Sequence, residues 1–119
     1  MMISDHFSSK EFACKCGCGF SRVDPELLEV LEKIRSRIGD NPIFINSACR
    51  CEEHNGNVGG SPKSQHVEGK AADIRSNHAS VDVLSFHAND ILGSKGGVGI
   101  YDTFCHVDVR DGYWRADKR

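Results

Sequence analysis

The sequence predicts an α+β domain: a small antiparallel sheet with helices packed on one side. Three observations carry that expectation. Residues 24–38 have strong helical periodicity, and residues 79–92 repeat it. Four short apolar runs, 42–46, 71–75, 96–101 and 104–109, are each bounded by turn-forming residues. Helices interspersed with neighbouring antiparallel strands point to α+β rather than to a parallel doubly wound sheet.

Taken in order, Ser8-Ser9-Lys10-Glu11 reads as a capping box leading into a short turn around Phe12. Asp24 caps the first long helix, Pro25 suits its first turn and Gly39 its exit. Leu27, Leu31, Ile34 and Ile38 recur on one face, while Glu26, Glu29, Glu32, Lys33, Arg35 and Arg37 form a solvated face. Pro42 to Asn46 is a short apolar run that reads as a buried strand. Residues 55–64, rich in Gly, Asn and Ser, read as a loop that delivers the chain to His66. Ala71 to Arg75 is expected as a strand. In the helix at 79–92, Leu84, Ala88, Ile91 and Leu92 point inward. The last two strands are joined by a tight turn at Asp102-Thr103. Internal repeats and low-complexity segments are absent.

The 119 residues allow one domain, 1–119, with a single core. Hydrophobic residues at 39% and charged residues at 27% are ordinary for a globular chain. A net charge of −2 argues against capture of nucleic acid or anionic lipid. No run approaches the roughly 20 apolar residues of a membrane span. The N-terminus has neither the basic start nor the apolar centre of a signal peptide, so synthesis in the cytoplasm is expected; a monomer is the separate expectation for its assembly state. The cysteines Cys14, Cys16, Cys18, Cys49 and Cys51 form two tight groups, with Cys105 apart. A disulfide between the groups, a second metal and plain thiols are the alternatives. The one-residue spacing is poor for a zinc thiolate site.

The chemistry concentrates in Ser64-Gln65-His66-Val67-Glu68-Gly69-Lys70-Ala71-Ala72-Asp73 and in Cys105-His106-Val107-Asp108. Two imidazoles and one carboxylate are the ligand set of a catalytic zinc, which keeps a fourth position for water. His66 and Asp73 are too far apart for one helical turn. A loop ending in a strand suits them, with Gly69 letting the backbone fold back, and His106 arrives from a separate strand. A structural hydrogen-bonded cluster is the plainer alternative for these three. Strand alternation puts Phe104, His106 and Asp108 on one face. Asp108 is therefore expected either to take a proton from the zinc water or to orient a liganding histidine. Asp102 and Glu68 are further candidates for the base. His6, His78, His87 and His54 carry no such pattern and are read as structural.

The residues from Ser64 to Asp73 resemble the Ser-x-His-x-x-Gly-x-Ala-x-Asp signature of zinc D-Ala-D-Ala carboxypeptidases and their relatives, the peptidase M15 family, within the group that includes hedgehog-type zinc domains. Gly97-Val98-Gly99-Ile100-Tyr101 with Phe104 to Asp108 is similar to the third-ligand strand of the phage and prophage subgroup. Ser47 to Asn55 resembles its segment with a substrate-binding arginine, and Phe7 to Phe12 resembles its usual opening. The resemblance implies a hedgehog/DD-peptidase-like fold, one zinc held by His66, Asp73 and His106, and substrate contacts from Arg50 and Ser64. Several relatives have an acidic base three residues before the last histidine, where this chain has Thr103.

The implied activity is hydrolysis of peptidoglycan stem peptides, either at D-Ala-D-Ala or at an internal bond such as L-Ala-D-Glu. The implied setting is phage lysis with holin-type release. A protein of the same fold that keeps the zinc for binding or assembly, without turnover, is the alternative. A redox or thiolate-metal protein run by the clustered cysteines is a third reading.

Overall fold

The computed structural model describes residues 2–17, 22–50, 52–58 and 64–119, apart from the side chains of 52–54. Helix α1 (Ser9–Phe12) opens with the Ser8 N–H donating to the Glu11 carboxylate at 2.6 Å. Helix α2 (Pro25–Arg37) is capped by Asp24, whose side chain accepts the Glu26 N–H at 2.8 Å. Its inner face is Leu27, Val30, Leu31 and Ile34, whereas Ile38 lies just past the helix and is only partly buried.

Strand β1 (Phe44–Ser47), helix α3 (Glu52–Asn57), strand β2 (Ala71–Arg75), helix α4 (Val81–Leu92), and strands β3 (Gly96–Ile100), β4 (Cys105–Asp108) and β5 (Tyr113–Asp117) complete the described elements. The sheet order is β1-β2-β4-β3-β5. Every neighbouring pair is antiparallel except β3 and β5, which run parallel. Among the described residues, no helix is long and apolar enough to cross a membrane.

Three elements differ from the sequence expectation. The first strand starts at Phe44 rather than Pro42, because proline has no N–H to give a ladder. Helix α3 takes residues 55–57 from the expected loop, and residues 59–63 of that loop lie outside the described residues. Strand β5 was not expected at all. Its run Tyr-Trp-Arg-Ala-Asp has no alternating apolar pattern, and its partner β3 is distant in sequence.

The sheet has two faces with different tasks. Ala72, Ile74, Val98, Cys105 and Val107 join Leu27, Leu31, Ile34, Leu84 and Ala88 in the core beneath α2 and α4. The alternate residues emerge on the other face. There the register sets Asp73 opposite His106, His106 opposite Gly99, and Asp108 opposite Gly97. Asp108 is 0% exposed although it faces away from the helices. The space it occupies exists because Gly97 has no side chain: a Cβ there would overlap the Asp108 carboxylate.

Gly97→Ala is therefore expected to destabilise the fold by about 1–3 kcal/mol through overpacking. Gly112→Ala, where a Cβ meets nothing within 4 Å, should be nearly neutral. Equal midpoints for the two variants in urea denaturation would show that the Gly97 space is not needed.

Candidate metal centre

Tight turns deliver His66 to the polar face of the sheet. The Val67 N–H bonds to the Ser64 carbonyl at 3.1 Å and the Gly69 N–H to the His66 carbonyl at 3.2 Å. Gly69 has φ +71°, and a Cβ there would stand 2.6 Å from the Arg22 carbonyl oxygen, so only glycine fits. Asp73 and His106 come from adjacent strands, where they are direct partners. The structure thus brings together His66, Asp73 and His106, whose ligand atoms all lie within 4.8 Å of one another.

The hydrogen bonds decide which atoms point inward. His66 Nδ1 lies 2.6 Å from the Ala48 carbonyl oxygen, which can only accept; Nδ1 therefore carries the proton. That leaves the Nε2 lone pair facing Asp73 Oδ1, 3.3 Å away. His106 is oriented the opposite way. Its Nε2 lies 2.7 Å from Asp108 Oδ2 and its Nδ1 lies 2.9 Å from Asp73 Oδ1. One histidine offers Nε2 and the other Nδ1 to the same carboxylate oxygen.

Two ligands about 2.0–2.1 Å from a tetrahedral zinc stand roughly 3.3 Å apart. The separations of 3.3 and 2.9 Å around Asp73 Oδ1 match that spacing. The donor set of two nitrogens and one oxygen also suits zinc, and three protein ligands are the number found in catalytic rather than structural sites.

Electrostatics reinforce the arrangement. Burial pushes the Asp73 carboxyl up, but hydrogen bonds from His106 and His66 outweigh it and hold the group well below its ordinary range. Burial likewise disfavours a charged His106, yet hydrogen bonds to Asp108 and Asp73 raise its pKa. Asp108 is also held low: against burial stand its bonds to His106 and to Arg110. Arg110 grips it in a fork, Nε at 2.8 Å from Oδ1 and Nη2 at 2.6 Å from Oδ2, and adds a backbone N–H at 3.1 Å. The Trp114 ring meets the His106 ring edge-on at 5.7 Å, and the Arg110 guanidinium lies over Trp114 at 5.1 Å.

Arg50 stands at the rim. Its Nε donates to Ser47 Oγ at 3.2 Å, Nη1 to Asn55 Oδ1 at 3.2 Å, and Nη2 points at Asp73 Oδ2, 3.5 Å away. Asp73 therefore gives one oxygen to the histidines and the other to Arg50. Ser64 belongs to the turn, where its hydroxyl accepts the His66 N–H at 3.2 Å.

Of the three expected bases, one stands against a ligand ring and two are exposed. Asp108 is behind the His106 ring, on the nitrogen that points away from Asp73, with both oxygens committed; its geometry supports the orienting role and not proton abstraction. Asp102 and Glu68 are exposed, and among the described residues neither makes a hydrogen bond. His6 pairs with Glu32 at 2.6 Å, well outside the cluster. The Cys14 and Cys16 sulfurs are 3.4 Å apart, too far for a disulfide between them. The Cys49 N–H bonds to the Phe12 carbonyl, which brings Cys49 beside α1. Cys18 and Cys51 lie outside the described residues. The Cys105 thiol is pushed up to about 12 by burial and the Asp73 charge, which keeps it an inert thiol.

The family model described as Peptidase M15 matches residues 5–108, which span every residue of the cluster. The chain belongs to the peptidase M15 family. It is also similar to the zinc D-Ala-D-Ala carboxypeptidase of Streptomyces albus G, with 34% identity over 92 residues, covering 72% of this chain and 35% of that protein. The chain thus spans about a third of that relative's length. Among the M15 chain's site residues, pattern reading missed Asn55, the Ala48 carbonyl, Arg110 and Trp114. Arg110 alone had a signal, since it shares the alternation of His106 and Asp108.

Two outcomes follow for this M15 site. Asp108→Asn should weaken binding of Zn²⁺, measured by competition with a chromophoric chelator, by about 10–100-fold. Unchanged affinity with lost turnover would return Asp108 to the role of base. The second outcome concerns pH. Asp73 and Asp108 titrate well below 3.8 in the folded state, so their stabilisation is present above that value and is lost progressively as pH falls from it toward the folded values. Melting of the metal-free protein between about pH 6 and about pH 3 should decline mainly below about pH 4, and less steeply in Asp108→Asn. Parallel curves would contradict this.

Proposed function

We propose that this chain is a zinc-dependent peptidase acting on peptidoglycan stem peptides. The observation that carries the proposal is the convergence of His66 Nε2, Asp73 Oδ1 and His106 Nδ1. Membership of a peptidase family and likeness to a zinc D-Ala-D-Ala carboxypeptidase support it. His66, Asp73 and His106 would hold one zinc ion. When bound, zinc supplies a Lewis acid for the scissile carbonyl and an acidified water.

The remaining steps belong to the chain. The Ala48 carbonyl and Asp108 fix the two imidazoles in the tautomers that leave their inward nitrogens bare. Arg110 holds Asp108 charged, and so keeps His106 from turning. Arg50, a planar bidentate donor already braced by Ser47 and Asn55, holds the substrate's carboxylate or carbonyl group. Of the acids considered as base, Asp102 and Glu68 keep uncommitted oxygens. Asp102 shares the hairpin with His106 and is the proton-transfer residue in this reading. The cleaved bond is a terminal D-Ala-D-Ala or an internal one of the L-Ala-D-Glu type. Phage-type lysis after synthesis in the cytoplasm is the proposed setting.

The test is mass spectrometry of muropeptides after incubation with the purified protein. Zinc-dependent release of D-Ala or of cut stem peptides is expected, abolished by a chelator and restored by Zn²⁺. Arg50→Ala should reduce kcat/KM by about 100-fold, the scale for losing a charged transition-state contact. Tight zinc binding with no release, even with the enzyme in excess, would instead support a binding or assembly protein of the same fold.

A further inference from the structure

One polar group beside the site has no role in the account above. Tyr101 lies just past the end of β3, in line with Gly97 and Gly99, and its N–H bonds to the Phe104 carbonyl at 3.0 Å, which closes the hairpin around Asp102 and Thr103. Its ring stacks flat on Phe104, with centroids 4.4 Å apart and planes 10° off parallel. The ring leans back along the strand: a Cβ on Gly99, the partner of His106, would stand 3.2 Å from Tyr101 Cε2 and 2.9 Å from the Trp114 ring. Two aromatic rings thus close over the same glycine, the strand partner of His106.

The half-buried phenol lies within the fields of Asp73 and Arg50. Burial and then the Asp73 carboxylate push its pKa up, against the smaller pull of Arg50, so it keeps its proton at neutral pH. Among the described residues its hydroxyl has no hydrogen-bond partner. A phenol O–H braced by a stacked ring on the sheet face of the Gly99–His106 pair, and without a protein partner among the described residues, is a donor set out for a ligand oxygen.

We infer that Tyr101 donates a hydrogen bond to the substrate's scissile carbonyl oxygen as negative charge develops on it, sharing that task with Arg50. The hydroxyl keeps its proton throughout, so Tyr101 is an oxyanion-stabilising donor and not a base. The inference rests on the peptidase reading and adds a catalytic residue to it. It also gives the site a second fixed donor in a chain that has Thr103 where several relatives carry an acid.

Tyr101→Phe removes the O–H and leaves the stacking ring, so the fold and the metal ligands stay intact. Two readouts are measured on zinc-loaded protein: hydrolysis of a stem peptide, and calorimetric binding of a phosphinic D-Ala-D-Ala analogue, whose tetrahedral P–O⁻ stands in for the charged oxygen. Tyr101→Phe is expected to retain one zinc and an unchanged Tm. It should lose at least about tenfold in kcat with KM little altered, and a similar factor in phosphinate affinity. Phosphinate affinity within twofold of wild type overturns the inference. Wild-type protein that binds the phosphinate through Tyr101 but cuts no stem peptide overturns the peptidase reading and leaves the donor role standing. Wild-type protein that binds neither this phosphinate nor one built on L-Ala-D-Glu overturns both.

Discussion

The outer nitrogen of His106 is the point on which the site depends. Without a fixed partner at Nε2, an imidazole on an open sheet face is free to turn and to exchange its proton between nitrogens. Asp108 removes both freedoms at 2.7 Å, and the Arg110 fork keeps that carboxylate charged and in place. A buried carboxylate without such partners would be costly. Here each oxygen of Asp108 has a donor. The arrangement matches a general rule for metal sites, in which the residue behind a ligand sets its tautomer and basicity.

The sheet separates two demands that conflict in a small protein. One face contributes Ile74, Val98, Cys105 and Val107 to the core under α2 and α4. The other carries Asp73, His106 and Asp108. Period-two alternation lets a single strand serve both, so β4 anchors the fold through Val107 and orients the site through its neighbours on either side. Glycines on β3 complete the arrangement, since larger residues at Gly97 and Gly99 would take the space of Asp108 and Trp114.

Much of this was legible in the sequence because the signals were local. Asp24, Pro25 and the Leu27-to-Ile34 spacing mark α2, and Leu84, Ala88 and Leu92 mark α4. The cluster of His66, Asp73 and His106 was legible through motif resemblance, where spacing alone left a structural alternative open. What stayed hidden depends on contacts between distant segments. The Ala48 carbonyl reaches His66 through space, and backbone carbonyls leave no mark in a residue pattern. Trp114 reaches His106 only because β5 pairs in parallel with β3, a pairing that no local pattern encodes. Asp108 was placed on the right face, but its role turned on which ring nitrogen it met.

X-ray absorption at the zinc edge of the purified protein tests the central claim most directly. Two imidazole nitrogens, one carboxylate oxygen and one further light atom, all at about 2.0–2.2 Å, are the neighbours this account requires, and the signal should vanish in His66→Ala. Sulfur neighbours at about 2.3 Å that survive His66→Ala would place the metal on the cysteines and contradict it.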